Sequence, residues 1–120
     1  MTPTKDAGKI ITEITSFLRE KLPADRALGA RLKFDYEGDG IVFIDGRKAP
    51  ATVHNRDEAA DCTVVIAAGL HLRLLHREAD QGQAFRQGHM RISGDVAVAV
   101  RLGPLLFASQ LHGSGVQGAR

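Results

Sequence analysis

Ile10, Ile11, Ile14, Phe17, Leu18 and Leu22 recur at helical spacing, with Thr12, Glu13, Arg19 and Glu20 on the opposite side. This predicts an amphipathic helix stopped at Pro23, because proline offers no backbone donor and clashes with the preceding turn. Residues 24–30 read as a short helical turn or a linker. The period then changes from 3.6 to 2. Leu32, Phe34 and Tyr36 alternate with Arg31, Lys33, Asp35 and Glu37, the mark of a strand buried on one face. Gly38-Asp39-Gly40 supplies turn chemistry, residues 41–44 the returning strand, and Asp45-Gly46 a second turn. Residues 51–54 form a weaker third strand. Residues 62–67 are apolar on both faces and rich in β-branched side chains, which predicts a central fourth strand.

After Gly69 the pattern returns to helix through Leu70, Leu72, Leu74 and Leu75. A second short helix starts after Asp80, which can cap it with Gln83 three residues on, and ends at Gly88. Residues 89–93 alternate around Met90 and Ile92 as a fifth strand. Residues 94–111 satisfy two patterns at once. Val96, Val98 and Val100 alternate with Ala97 and Ala99, as in a strand. Alanine is also the best helix former, Asp95 suits a helix N-terminus, and Leu102, Leu105 and Leu106 continue at helical spacing. Propensity alone leaves both readings open. The glycine-rich residues 113–118 have the composition of a flexible linker.

The 120 residues suit one domain, expected over residues 1–110 with a flexible tail over 111–120. Six aromatic residues, none of them Trp, require a mostly aliphatic interior. A net charge of +2, spread along the chain, argues against a nucleic-acid binder and leaves room for transient contact with anionic membrane surfaces. The lone Cys62 cannot form an internal disulfide, which fits a reducing compartment. The N-terminal sequence lacks a signal-peptide pattern, and no stretch approaches the ~18 apolar residues of a membrane span, so the cytoplasm is expected.

Two segments resemble the sterol carrier protein type 2 family. ADCTVVIAAGLHLRLLHRE (residues 60–78) is similar to its strand and leucine-rich helix. AFRQGHMRISGDVAVAVRLGPLL (residues 84–106) matches more fully, through Ala84, Phe85, Gln87, Gly88, Arg91, Ile92, Gly94, Asp95, Ala99, Arg101 and Leu102. VFIDGRKA (residues 42–49) resembles the family's strand ending in Asp and a turn, and the likeness spans residues 10–108 in the family's order of elements. The resemblance implies an α+β fold: a five-stranded, mainly antiparallel sheet covered on one face by helices, with an apolar lipid tunnel between them. It also implies that residues 95–102 are helical. It further implies a non-catalytic carrier of an acyl chain, acyl-CoA, sterol-like or prenyl lipid, as a monomer or homodimer without cofactor. The alternative is an accessory module presenting a lipid to partner enzymes, as bacterial stand-alone members do in isoprenoid-quinone biosynthesis. The implied ligand-lining set is Phe34, Ile44, Val64, Ile66, Leu72, Leu75, Phe85, Gln87, Met90, Ile92, Val98, Leu102 and Leu105, with Gln87 placed either to meet a head group or only to cap the end of its helix. Leu70-His71 replaces the family's acidic residue and Phe, and Val96 and Val100 stand where methionines are common, so no sterol preference carries over. The C-terminal Gly118-Ala119-Arg120 is not a peroxisomal address.

Catalytic and metal chemistry find little support in the sequence. His71 and His76 lie about 140° apart round a helix and cannot act as paired ligands. With His54, His89 and His112 they are expected on the surface, and no metal site is expected. Cys62, within an apolar strand, reads as a small buried hydrophobe. Asp35, Glu37, Asp39 and Asp45 read as strand-edge and turn residues, and Gly38-Asp39-Gly40 lacks the Lys and Ser/Thr of a phosphate loop.

Overall fold

The computed structural model describes residues 3–106, with side chains for residues 7–103. In chain order the elements are α1 (Pro3–Lys21), β1 (Arg31–Asp35), β2 (Ile41–Asp45), β3 (Thr52–His54), β4 (Cys62–Ile66), α2 (Ala68–Leu75), α3 (Gln81–Arg86), β5 (Met90–Gly94) and α4 (Val96–Leu106). The fold is α+β. Its five strands lie in the order β3-β2-β1-β4-β5, antiparallel except for the parallel pair β1 and β4. The expectations for the tail and for the Leu105 side chain fall outside the described residues.

Helix α1 begins well before the large apolar residues that predict it. Ala7, buried like Ile11, Ile14 and Leu18, extends the same stripe with a small side chain. The helix closes at Lys21, and the Leu22 amide still donates to the Leu18 carbonyl before Pro23 intervenes. Residues 24–30 contain no helix. The amides of Leu28 and Gly29 donate instead to the Gly46 carbonyl, which docks this segment on the end of β2. A Cβ on Gly46 would lie 2.6 Å from that of Leu28, so the approach requires glycine.

The parallel pair arises because the chain after β3 does not turn back. Residues 55–61 cross to β4 over the outward face, held by the 2.7 Å Lys33–Asp57 ion pair and by the Asp61 amide donating to the Arg31 carbonyl. Phe43 is buried on this outward face, stacked on the His54 ring at 4.9 Å. Strand β4 is interior as expected, but Thr63 and Val65 on its outward face remain half-buried.

The ambiguous segment is a helix. Gly94, with φ of +85°, ends β5 against residue 61, where a Cβ would lie 2.5 Å from the Asp61 carbonyl oxygen. Asp95 then caps α4: its carboxylate accepts from the Ala97 amide and its carbonyl from the Val98 amide. A strand would place Val96, Val98 and Val100 on one face. The helix instead buries Val98, Ala99 and Leu102 and turns Val96 and Val100 to water.

Candidate functional site

The strand registers assemble one apolar sheet face. Val53, Ile44, Leu32 and Cys62 form one row across the sheet, Val42, Phe34, Val64 and Ile92 a second, and Ile66 and Met90 a third. All but the half-buried Ile92 are buried. Helix α1 packs over β2 and β3, α4 packs over β4 and β5, and α2 packs against α1. Of the sequence-derived lining set, this face unites Phe34, Ile44, Val64, Ile66, Met90 and Ile92. Leu75 on α2 and Val98 and Leu102 on α4 are buried in the same core, and Leu72 is partly buried against it. Phe85 and Gln87 stand apart. Phe85 is 53% exposed, and Gln87 is the exposed residue that ends α3.

His71 corrects the expectation of a surface histidine: it is wholly buried on α2. Its Nδ1 and the Tyr36 hydroxyl are hydrogen-bonded at 2.7 Å, and its ring lies 4.4 Å from that of Phe34. This contact sets α2 over the end of β1. The sequence held the signal in two places. Tyr36 continues the inward alternation of Leu32 and Phe34, and a buried tyrosine hydroxyl needs a partner. His71 falls at helical spacing with Ala68, Leu74 and Leu75, the buried residues of α2. Burial pushes the Tyr36 phenol well above its ordinary value near 10.

A cleft of about 900 Å³ opens between α2, the turn after it, α3 and the β1–β2 turn. Its wall mixes the small or aliphatic Ala67, Leu70, Ala79 and Ala84 with Arg73, Gln83 and Gln87, and Glu37 and His89 also line it. Among the described residues of the sequence-derived lining set, only Gln87 reaches it. Asp80 caps α3 as expected, accepting from the Gln83 amide at 3.1 Å, and this cap forms one corner of the cleft. Gly88, with φ of +77°, ends α3 and turns the chain into β5. Sequence periodicity could not reveal the cleft, because its walls meet only through tertiary packing.

The remaining titratable candidates are explained locally. His54 Nδ1 accepts from the Arg56 amide, which leaves Nε2 toward Glu58 at 3.6 Å. His76 lies beside Glu13 and the Phe17 ring. Asp35 and Asp45 accept from the amides of Glu37 and Arg47 in turns. Cys62 is buried, which raises its thiol pKa and keeps it protonated. Among the described residues, no group of three or more His, Cys, Asp or Glu side chains could hold a metal ion, and no helix is long and apolar enough to cross a membrane.

No curated protein sequence matches the chain. Solved structures share its fold. A UbiJ-SCP2 ubiquinone synthesis protein is 23% identical, with 83% of this chain and 91% of that one aligned at a TM-score of 0.56. Sterol carrier protein 2 from Aedes aegypti, solved in complex with the C16 fatty acid palmitate, is 20% identical over 88% of this chain and 96% of that one, with a TM-score of 0.59. The sec-alkylsulfatase Pisa1 from Pseudomonas sp. carries the same fold in 15% of its own chain, matching 74% of this one at 22% identity and a TM-score of 0.56. The sequence model of the SCP-2 sterol transfer family matches residues 14–107, from α1 through α4, and the chain belongs to that family.

Proposed function

We propose that this protein is a non-catalytic lipid carrier, holding one acyl or similar apolar chain between its sheet and helices. Membership of a sterol transfer family across residues 14–107 carries this reading. A sheet with one continuous apolar face under α1, α2 and α4 supports it, as does the palmitate bound by the Aedes aegypti relative. The buried lining residues from Phe34 to Leu102 would bound the apolar chain. Gln87, on the wall of the cleft, would hydrogen-bond a polar head group. Each buried methylene contributes ~0.8 kcal/mol, and association costs roughly 4 to 15 kcal/mol, so affinity should be micromolar or tighter but not picomolar.

Titration with fluorescent fatty acids of increasing length tests this. Binding should saturate at one site per chain and strengthen with each added pair of methylenes. Leu102→Trp, which would crowd the space the bound chain takes under α4, should shift preference to shorter chains. Affinity that ignores both chain length and the Leu102 substitution in a folded protein would show that the apolar set is only core.

A second reading is a module that presents a prenyl lipid to partner enzymes. The likeness to a ubiquinone synthesis protein favours it, and the sulfatase provides a precedent for this fold within an enzyme chain. Native mass spectrometry followed by organic extraction separates the two readings. A co-purified prenyl lipid supports the module, and a fatty acid or acyl-CoA supports the carrier.

A further inference from the structure

The two edges of the sheet are finished differently. At the β3 edge the strand has only three residues. There the Arg19 guanidinium of α1 donates to the Val53 carbonyl from Nε at 3.1 Å and from Nη2 at 2.7 Å. A short edge strand with its backbone covered offers other chains little to pair with. At the opposite edge β5 has five residues. The Asp95 amide donates to the Asp61 carbonyl at 2.8 Å, in step with the register that sets Gly94 opposite Cys62. Bonded pairs recur at every second residue of an antiparallel ladder, so Arg91 and Ser93 turn their backbone groups to β4. Met90, Ile92 and Gly94 turn theirs to the open edge, and among the described residues no hydrogen bond reaches them there.

The strand Met90-Arg91-Ile92-Ser93-Gly94 is complementary to itself. When it runs antiparallel to a second copy about a two-fold axis at Ile92, the outward groups of Ile92 meet those of the other Ile92. Met90 then meets Gly94 of the second copy, and Gly94 meets its Met90, so all three outward residues are bonded. On the apolar face, the long Met90 side chain lies beside a residue that has none. On the other face, Arg91 stands opposite Ser93, and no like charges oppose each other. Registers centred on Arg91 or Ser93 keep only two of the three bonded pairs, and the first sets two arginines face to face. The same axis completes the apolar sheet face. Of the residues in its three rows, only Ile92 is half-buried, and it stands on the strand with no neighbour beyond it. A second Ile92 across the axis continues the row Val42, Phe34, Val64 and Ile92.

We propose that β5 is the docking edge for a second copy of this chain, paired antiparallel through Met90, Ile92 and Gly94 so that the two sheets join into one. The pairing does not depend on what the core carries, because association is measured with no lipid present. The test is sedimentation equilibrium of the full chain from micromolar to near-millimolar concentration. The parent should form a reversible dimer. Ile92→Pro removes an outward amide and leaves the ladder to β4 intact, so it should weaken the dimer at least about tenfold. Ser93→Arg, at an exposed position, sets arginines opposite each other on both sides of the axis and should weaken it at least roughly threefold. Ser93→Glu places a carboxylate opposite each Arg91 and should tighten it by a similar factor, a gain that salt removes. The two Ser93 variants keep the test decisive should the proline variant unfold. A parent that stays monomeric throughout would overturn the proposal and leave the edge to an extended segment of another protein. So would a dimer indifferent to the folded variants, or one that Ser93→Arg and Ser93→Glu shift in the same direction.

Discussion

The two ends of the sheet are packed by different means. Over β1–β3, the 19-residue α1 places Ile14 and Leu18 on a sheet face where Leu32, Phe34, Val42 and Ile44 are shut off from water. At the β5 end, α3 has six residues and α4 eleven, Phe85, Val96 and Val100 are exposed, and the cleft opens beside α3. A long helix with a full apolar stripe can bury one face and leave its polar face to water. Two short helices cannot cover as much of the sheet, and both turn apolar side chains outward. The first region is built to hold the fold. The second leaves the cleft and the exposed apolar side chains.

Truncating matched aliphatic side chains in the two regions gives the sharpest contrast. Leu18→Ala removes a wholly buried side chain and should cost about 2 to 5 kcal/mol, a transfer loss plus a cavity. Val100→Ala, at an exposed helix position, should change stability by less than about 0.5 kcal/mol, since alanine favours the helix. Urea unfolding of the two variants measures both. Similar costs would show that the α4 end is packed as firmly as the α1 end, and the distinction would fall.

A smaller effect is expected where α2 joins the tightly packed region. Tyr36→Phe removes the 2.7 Å hydrogen bond to His71 and should cost about 1 to 3 kcal/mol at neutral pH. The chain has one tyrosine, so phenolate absorbance reports Tyr36 alone. Its folded pKa is raised, so the associated stability is fully present below the unfolded value near 10 and is lost as pH rises through the folded one. The phenol should ionise only as the protein unfolds in alkali. Ordinary ionisation near 10 in the folded state would show that water reaches this end of the core.

The same contrast decided what the sequence could disclose. In the α1 and β1–β2 region the periods of 3.6 and 2 are uninterrupted, and the elements and inward faces could be read directly. Asp80 with Gln83, and Gly88, marked α3 through chemistry that is local to the chain. The alternation from Val96 to Val100 satisfied both periods. Its resolution depends on Gly94 pressing on Asp61, a contact between distant positions that no local window contains. The burial of His71 follows from its helical spacing with Ala68, Leu74 and Leu75, whereas its residue type alone points to the surface. The cleft was out of reach, since Glu37, Arg73 and Gln83 come from three separate elements or turns.

The smallest expected effect lies on the rim of the tightly packed region, at the end of β2. The Asp45 carboxylate accepts from the Arg47 guanidinium at 2.7 Å, which, with the Arg47 amide, holds its pKa down to about 2 from 3.8. A depressed carboxylate pKa contributes stability that is present above the unfolded value and lost as pH falls through the folded one. The window therefore runs from about 4 down to about 2. The pair is exposed, so screening leaves it only a small share of the stability, removable by salt. In Arg47→Gln, the Asp45 midpoint followed by carboxyl NMR should rise toward 3.8. Any stability difference from the parent should be present at neutral pH, shrink through that window, and vanish in high salt. If apolar burial rather than surface charge holds this half together, that difference stays far below the cost of Leu18→Ala. A loss comparable to Leu18→Ala, persisting in salt, would mean that the rim pair and not the aliphatic layer secures the β2 end of the sheet.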